Sequence, residues 1–188
     1  MELHFSRNFV ANTVLSDSDG QLCYRICTPF KWSNKTTVIY RICRGDNVAS
    51  KTDNGDGSDE PYGSVNVEEE LAKIHWHVLD SSKLEYGGQI VDISKFMPRN
   101  GALGRTRTFK GPDDCSYIWH LGRFKRSLAD ESKQVARLRR ANFFTGRKAV
   151  LEVFPAGMHM LDLIVTTFVF VEKIREDRTK GGLFLGAA

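Results

Sequence analysis

The chain has 188 residues, with 27 Lys or Arg against 23 Asp or Glu, and 41% of its residues are hydrophobic. This length and composition are typical of one soluble domain with a core of its own, so we expect residues 1–188 to form a single domain. The four cysteines lack the close pairing of a zinc site, and no charged-then-apolar leader opens the chain. We therefore expect no secretion signal, no cofactor and an intracellular, reducing location, either cytoplasmic or peripheral at the inner membrane surface.

Short strands joined by turns are predicted along the first half of the chain. Apolar and polar residues alternate from Leu22 to Cys27, directly after the turn-forming residues Asp17 to Gly20. From Thr36 to Cys43 the same alternation places Arg41 on the side of Ile39. The strands predicted in this half are residues 3–5, 12–15, 22–27, 36–43, 70–79, 83–86 and 89–93.

Residues 45–66 are rich in Asp, Gly, Ser and Asn. A segment with so little to bury predicts a long, exposed and flexible loop. Residues 45–92 hold eleven acidic residues and three lysines, so we also consider that this acidic loop folds over a basic half of the molecule as an internal competitor. The spacing of Asp53, Asp56 and Asp59 does not fit an EF-hand, and calcium binding is therefore not predicted.

His75-Trp76-His77 is a weak candidate for a metal site. Residues two apart on a strand point to the same side, so His75 and His77 could share a zinc ion. A third ligand such as His120 or Cys115 is not indicated by any spacing. A solvent-facing stripe beside a lysine is the simpler interpretation, and no metal is predicted.

The second half of the chain is basic, since residues 95–150 hold fourteen Lys or Arg and four acidic residues. Its predicted strands are residues 105–110, 116–121, 123–129, 134–140 and 148–154. Arg137 and Arg139 alternate with Ala136 and Leu138, so both guanidinium groups should face outward together. The predicted anion-binding residues are Arg105, Arg107, Arg123, Lys125, Arg126, Arg137, Arg139, Arg140, Arg147 and Lys148. A solvated basic face that merely balances the acidic half is the alternative.

The last element is an apolar run from Met158 to Glu176. Its uncharged core, Leu163 to Val171, is shorter than the roughly 20 residues of a membrane span. Asp162 near the start and basic residues near the end have the order that a helix dipole favours, and Gly181-Gly182 predicts a stop. We predict a helix at about 159–176 that is apolar on all sides and is therefore surrounded by protein. A central strand of a sandwich is the alternative.

About twelve strands before one apolar helix predict a mostly β (α+β) fold, an antiparallel closed barrel around the central helix. The segments with the most distinctive patterns are Leu71 to His77, Thr108 to Asp113 with Tyr117 to Trp119, and Leu161 to Lys173. In these segments the chain resembles a family of small basidiomycete fungal proteins of unknown function. More broadly it resembles the tubby-like and LURP-one-like fold, which phospholipid scramblases share. The resemblance implies a fold, and it implies no catalytic residues.

Three classes of function remain open. The basic run and the tubby-like resemblance favour a non-enzymatic module that binds anionic phospholipid, such as a phosphoinositide, at a membrane surface. A scaffold for protein or nucleic acid is the alternative, with Phe143 and Phe144 as stacking candidates, although no nucleic-acid motif is present. A metal-dependent or hydrolytic enzyme is less favoured because no motif organises the residues with suitable chemistry. These residues are His75, His77, His120, Cys115, Asp113 and Asp114.

Overall fold

The computed structural model describes residues 1–7, 9–29, 35–45, 66–77, 81–101, 105–122, 126–130, 133–141 and 148–185, with the side chains of Arg126 and residues 178–185 excepted. Within these residues thirteen strands form a single antiparallel sheet. The strands are β1 Glu2–Phe5, β2 Thr13–Ser16, β3 Leu22–Cys27, β4 Thr36–Arg44, β5 Asn66–His75, β6 Lys83–Tyr86, β7 Gln89–Asp92, β8 Arg99–Asn100, β9 Thr106–Lys110, β10 Ser116–Leu121, β11 Arg126–Ala129, β12 Gln134–Arg139 and β13 Val150–Val153. The mostly β fold that the alternation predicts is confirmed.

The order of strands across the sheet is β7-β6-β5-β4-β3-β2-β1-β13-β12-β11-β10-β9-β8. Strands that follow one another in the chain pair with each other, except β7 and β8. Strand β1 also pairs with β13, where Leu3 lies opposite Leu151. Both of these leucines are fully buried. The first and the second half of the chain thus each form one continuous run of hairpins, and β1 and β13 join the two runs.

A 3₁₀ helix, Pro155–Met160, follows β13 and leads into the long helix α2, Leu161–Leu185. Residues 163–172 of α2 are all buried, including both threonines. The ring of Phe168 lies 5.7 Å from that of Phe5 on β1 and 6.0 Å from that of Trp119 on β10. The ring of Phe170 stacks 5.6 Å from that of Trp76, which follows β5. Both halves of the sheet therefore pack against α2, which confirms the prediction of a buried apolar helix.

The end of α2 differs from the prediction. Gly181 and Gly182 do not stop the helix, which continues through them to Leu185. A glycine inside a helix costs only about 1 kcal/mol relative to alanine, which is too little to end a helix that is already propagating. The glycine stop was therefore wrong, whereas the start of the helix was predicted to within two residues.

A short helix joins the two edge strands of the sheet at a place that we call the seam. Edge strand β7 ends at Asp92 and edge strand β8 begins at Arg99, and the short helix α1, Ile93–Phe96, lies between them. No strand was predicted between residues 93 and 105, so β8 was missed. Within the described residues no hydrogen bonds join β7 to β8, so the predicted closed barrel is not reached by strand pairing.

Helix α1 lies in the seam and packs against β9, the strand next to edge strand β8. The ring of Phe96 stacks 6.2 Å from that of Phe109 on β9. Asp92 caps α1 by accepting the backbone N–H of Ser94 at 2.9 Å, and it also accepts the hydroxyl of Ser81 at 2.6 Å. These hydrogen bonds lower the pKa of Asp92 to about 2. The cap therefore stays ionised at neutral pH and holds α1 in the seam.

Gly157 of the 3₁₀ helix touches β12 so closely that it has no room for a side chain. An added Cβ would lie 2.6 Å from Val135 Cγ1, 2.8 Å from Ile164 Cδ1 and 3.0 Å from the Val135 carbonyl oxygen. We expect Gly157→Ala to lower the free energy of unfolding by about 1–3 kcal/mol, the usual cost of overpacking a core. Urea denaturation measures this loss. Ala156→Ser, at the exposed neighbour, is the control and should stay within about 0.5 kcal/mol of the wild type; equal stability of both variants would contradict the tight contact.

Candidate functional site

Three arginines on the outer surface of the sheet are paired with glutamates. Arg137 Nε donates to Glu152 Oε2 on β13 at 2.5 Å, and Arg139 forms an ion pair with Glu2 on β1. Each of these arginine side chains is 42% exposed, which confirms that they face outward together. Arg25 likewise forms an ion pair with a glutamate of β5. These exposed pairs stabilise the fold little, but each one cancels the local positive charge.

Arg107 lies in the interior rather than on an exposed basic face. Its residue is only 5% exposed, and its Nη1 donates to the carbonyl oxygen of Met97 at 2.7 Å. The guanidinium carbon also lies 4.9 Å from the centre of the Phe170 ring. Arg107 therefore contacts both Met97, which precedes β8, and Phe170 of α2. This structural role is not evident from the distribution of charges along the chain.

Exposed cations gather at one end of the sheet, which we call the basic end. It is the end towards which α2 runs, where Glu176 of α2 accepts the N–H of Val10 at 3.0 Å. Hydrogen bonds between adjacent strand ends bring the cations together: Phe5 N–H donates to Ala149 O at 3.2 Å, and Leu121 N–H donates to Arg105 O at 2.8 Å. The exposed cations of this end include Arg7, Arg99, Arg105, Arg140 and Lys148. None of these five forms an ion pair with a residue that the structure describes.

Acidic turns gather at the opposite end, the acidic end, where α2 begins. The turn residues are Asp17, Asp19, Asp113, Asp114 and Asp130. Residues 46–65, which carry the predicted acidic loop, lie outside the described residues, but their neighbours Arg44 and Asn66 pair with each other at this end. Strand β4 has nine residues, so about 30 Å separates these anchors from the basic end. The anchors of the acidic loop thus lie at the opposite end of α2 from the cations of the basic end.

The predicted anion-binding residues fall into four groups. Arg105, Arg140 and Lys148 lie at the basic end, where the backbone of Arg126 also begins β11. Arg137 and Arg139 lie on the outer surface with glutamate partners, and Arg107 is internal. Outside the described residues lie Arg123, Lys125 and Arg147, together with the predicted stacking residues Phe143 and Phe144. The prediction did not include Arg7 or Arg99, because neither stands in the densest part of the basic run.

A cavity of about 630 Å³ opens on the seam at the basic end. Trp76, Phe170 and Ile174 form its apolar wall, while Arg99 and Arg107 contribute positive charge. Its remaining walls include His77, Ser81, Ser82, Ser94 and Asp177. The cavity combines hydrogen-bonding groups with two arginines directly beside the exposed cations.

The candidate metal ligands and catalytic residues are engaged in ordinary contacts. His75 lies 3.3 Å from Thr36 Oγ1 through Nδ1 and 3.3 Å from Glu85 Oε2 through Nε2. Within the described residues no three His, Cys, Asp or Glu side chains lie close enough to hold a metal ion. The negative charge of Asp113 raises the pKa of the exposed Cys115 thiol, which disfavours the reactive thiolate. This geometry gives no organised nucleophile or metal centre among these residues.

A second cavity, of about 610 Å³, opens at the acidic end beside the start of α2. At its base Asp162 accepts the hydroxyl of Tyr24 at 2.7 Å through Oδ1 and forms an ion pair with Arg41 through Oδ2. Burial and the hydrogen bond to Asp162 raise the pKa of Tyr24, so the phenol stays protonated. The signal for this group in the sequence is Arg41, a cation on the same side of β4 as the fully buried Ile39.

The fold and these features define a class of protein, an antiparallel β-sheet packed around a buried C-terminal helix, with exposed cations at one end. The chain belongs to the family of unknown function DUF6593, which it matches over residues 8–177. No curated protein and no solved structure matches it. Among the helices that the structure describes, none has the length and apolar composition needed to cross a membrane.

Proposed function

We propose that this protein is a non-enzymatic module that binds anionic phospholipid, a phosphoinositide in particular, through the basic end. One observation carries the proposal: the exposed cations of this end have no carboxylate partners among the described residues, whereas Arg25, Arg137 and Arg139 on the outer surface of the sheet do. A cation near an anionic leaflet contributes about 1 kcal/mol to membrane binding, so five together contribute about 5 kcal/mol. Arginine also suits phosphate because its planar fork donates two parallel hydrogen bonds.

The seam cavity supports a preference for lipids with phosphorylated headgroups. It opens at the same end as the exposed cations, and Arg99 belongs both to its wall and to the cationic surface. A headgroup phosphate that entered it would meet an arginine and several serine hydroxyls, while the acyl chains stayed in the bilayer. The remaining exposed cations would then contact neighbouring anionic lipids.

The fold proposed with this function is of the tubby-like type. In this fold α1, rather than hydrogen bonds between β7 and β8, would connect the two edges of the sheet. The burial of residues 163–172 on all sides of α2 supports this assignment, as does the contact of both sheet halves with the helix. The stacking of Phe96 against Phe109 supports the role of α1 between the two edges. The corresponding location in the cell is peripheral, at the inner surface of a membrane.

Cosedimentation with liposomes tests the proposal. We expect the protein to pellet with vesicles that contain a phosphoinositide, less with phosphatidylserine vesicles of equal surface charge, and not with neutral phosphatidylcholine vesicles. Raising the salt concentration from about 0.1 M to 1 M shortens the Debye length from about 10 Å to 3 Å and should release the protein. Equal pelleting with neutral and anionic vesicles would exclude the proposal.

The same cations would also attract a nucleic-acid backbone, so the competing scaffold function needs its own measurement. A gel-shift titration with duplex and single-stranded nucleic acid, at the salt concentration of the liposome assay, makes the comparison direct because both interactions weaken with salt. The lipid proposal predicts that phosphoinositide vesicles displace nucleic acid from the protein. Failure of the vesicles to displace it would favour the nucleic-acid scaffold.

A further inference from the structure

We propose that the cavity at the acidic end binds a small amphipathic carboxylate, a molecule with one apolar chain and one monoanionic head. This site is separate from the basic end, since it lies at the opposite end of α2. Its volume of about 610 Å³ falls within the range of about 300–1,000 Å³ that is usual for small-molecule sites. Charged and apolar residues both line it.

Two cations and one carboxylate determine the charge that the cavity presents. Asp162 is already engaged by Tyr24 and Arg41. Arg41 uses only Nη2 for this ion pair, and its other guanidinium nitrogens make no hydrogen bond to a described residue. Lys110, which also lines the cavity, is exposed and has no carboxylate within 4 Å among the described residues. The unused donors of the lining residues therefore include those of two cations, as an anionic head requires.

The net charge of these groups favours a monoanion. Among the groups that line the cavity, Arg41 and Lys110 are positive and Asp162 is negative, so the lining carries one positive charge, with Glu69 acting on Arg41 from outside the lining. A dianionic phosphate would experience stronger repulsion from Asp162, and a cation would have to approach Arg41 and Lys110. A carboxylate matches both the charge and the planar geometry of a guanidinium.

The apolar wall is suited to a flexible hydrocarbon chain. Phe96 of α1 and Pro112 line the cavity together with Leu163, which lies on the first turn of α2. Met158 also lines the cavity and is 43% exposed, which is unusual for a large hydrophobic residue. Methionine adapts its shape easily because it is unbranched and has three rotatable bonds, so it can close over chains of different length.

Isothermal titration calorimetry with dodecanoate, below its micellar concentration, tests this site. Dodecanoate should bind at least tenfold more tightly than dodecanol, because a hydrogen bond to a charged group contributes about 1.5–3 kcal/mol. Lys110→Gln should weaken dodecanoate binding by about tenfold, and Met158→Asp should also weaken it because the new charge stands at the mouth. Lys133→Gln, an exposed lysine in another turn of the same end, is the matched control and should bind as the wild type does.

Three results would overturn the inference: no binding of dodecanoate, equal affinity for dodecanol, or equal affinities of the Lys110→Gln and Lys133→Gln variants. Thermal unfolding followed by circular dichroism establishes that each variant is folded before its affinity is compared. Neutralising Arg7, Arg105, Arg140 and Lys148 should leave dodecanoate binding unchanged. Membrane binding and carboxylate binding are thus tested by separate variants, and either can fail without the other.

Discussion

Phe168→Asp is expected to abolish folding. Phe168 is 1% exposed, and its ring lies between those of Phe5 on β1 and Trp119 on β10. An unpaired charge in such a place costs several kcal/mol, and the substitution also removes the aromatic packing that joins α2 to both halves of the sheet. The total stability of a domain is only about 5–15 kcal/mol, so little or none should remain.

The soluble fraction on expression and the cooperativity of thermal unfolding measure this effect. Ile90→Asp is the control, because Ile90 lies on edge strand β7 and is 64% exposed. That variant should fold and melt close to the wild type. A soluble Phe168→Asp protein with a cooperative transition near that of the wild type would refute a buried central helix.

Neutralising the basic end is expected to remove membrane binding while leaving the fold intact. The variant combines Arg7→Gln, Arg105→Gln, Arg140→Gln and Lys148→Gln, all at exposed positions without ion-pair partners among the described residues. At about 1 kcal/mol for each charge, the loss is about 4 kcal/mol, which corresponds to roughly a thousandfold weaker binding to phosphoinositide vesicles. Vesicle titration at fixed salt measures the change.

A control variant with the same change in net charge separates the place of the cations from their number. It combines Arg25→Gln, Lys73→Gln, Arg137→Gln and Arg139→Gln, all on the outer surface and all in ion pairs with glutamates. Since these charges are already balanced, this variant should lose less than tenfold in affinity. Equal losses in the two variants would mean that net charge alone attracts the protein to vesicles and that the basic end is not a site.

Local patterns predicted the elements of this fold well because each element buries a regular subset of its residues. The alternation in β4 placed Arg41 on the same side as Ile39, and the structure shows Ile39 buried and Arg41 beside Asp162. The apolar run of α2 predicted a helix enclosed by protein, since a helix without a polar face has no side to present to water. Strand β8 was not predicted because its two residues are too few to show the alternation of apolar and polar side chains.

The partners of charged side chains could not be predicted, because they are distant in the chain. Arg139 pairs with Glu2, and Tyr24 and Arg41 both meet Asp162. The sequence therefore treats Arg139 and Arg140 alike, although only Arg139 has a glutamate partner among the described residues. The same limit explains why Arg107 was taken for a surface residue, since its burial depends on α1 and α2.

By itself, the sequence determined the strand content, the enclosed helix and the separation of acidic and basic residues along the chain. These properties follow from local composition and period, which act over a few residues. Tertiary structure alone decided that the exposed cations of the basic end gather at one end of α2, that α1 lies between the two edge strands, and that cavities open at both ends of the helix. These depend on the pairing of β1 with β13 and on the path of α1, which bring distant segments together and have no local signal.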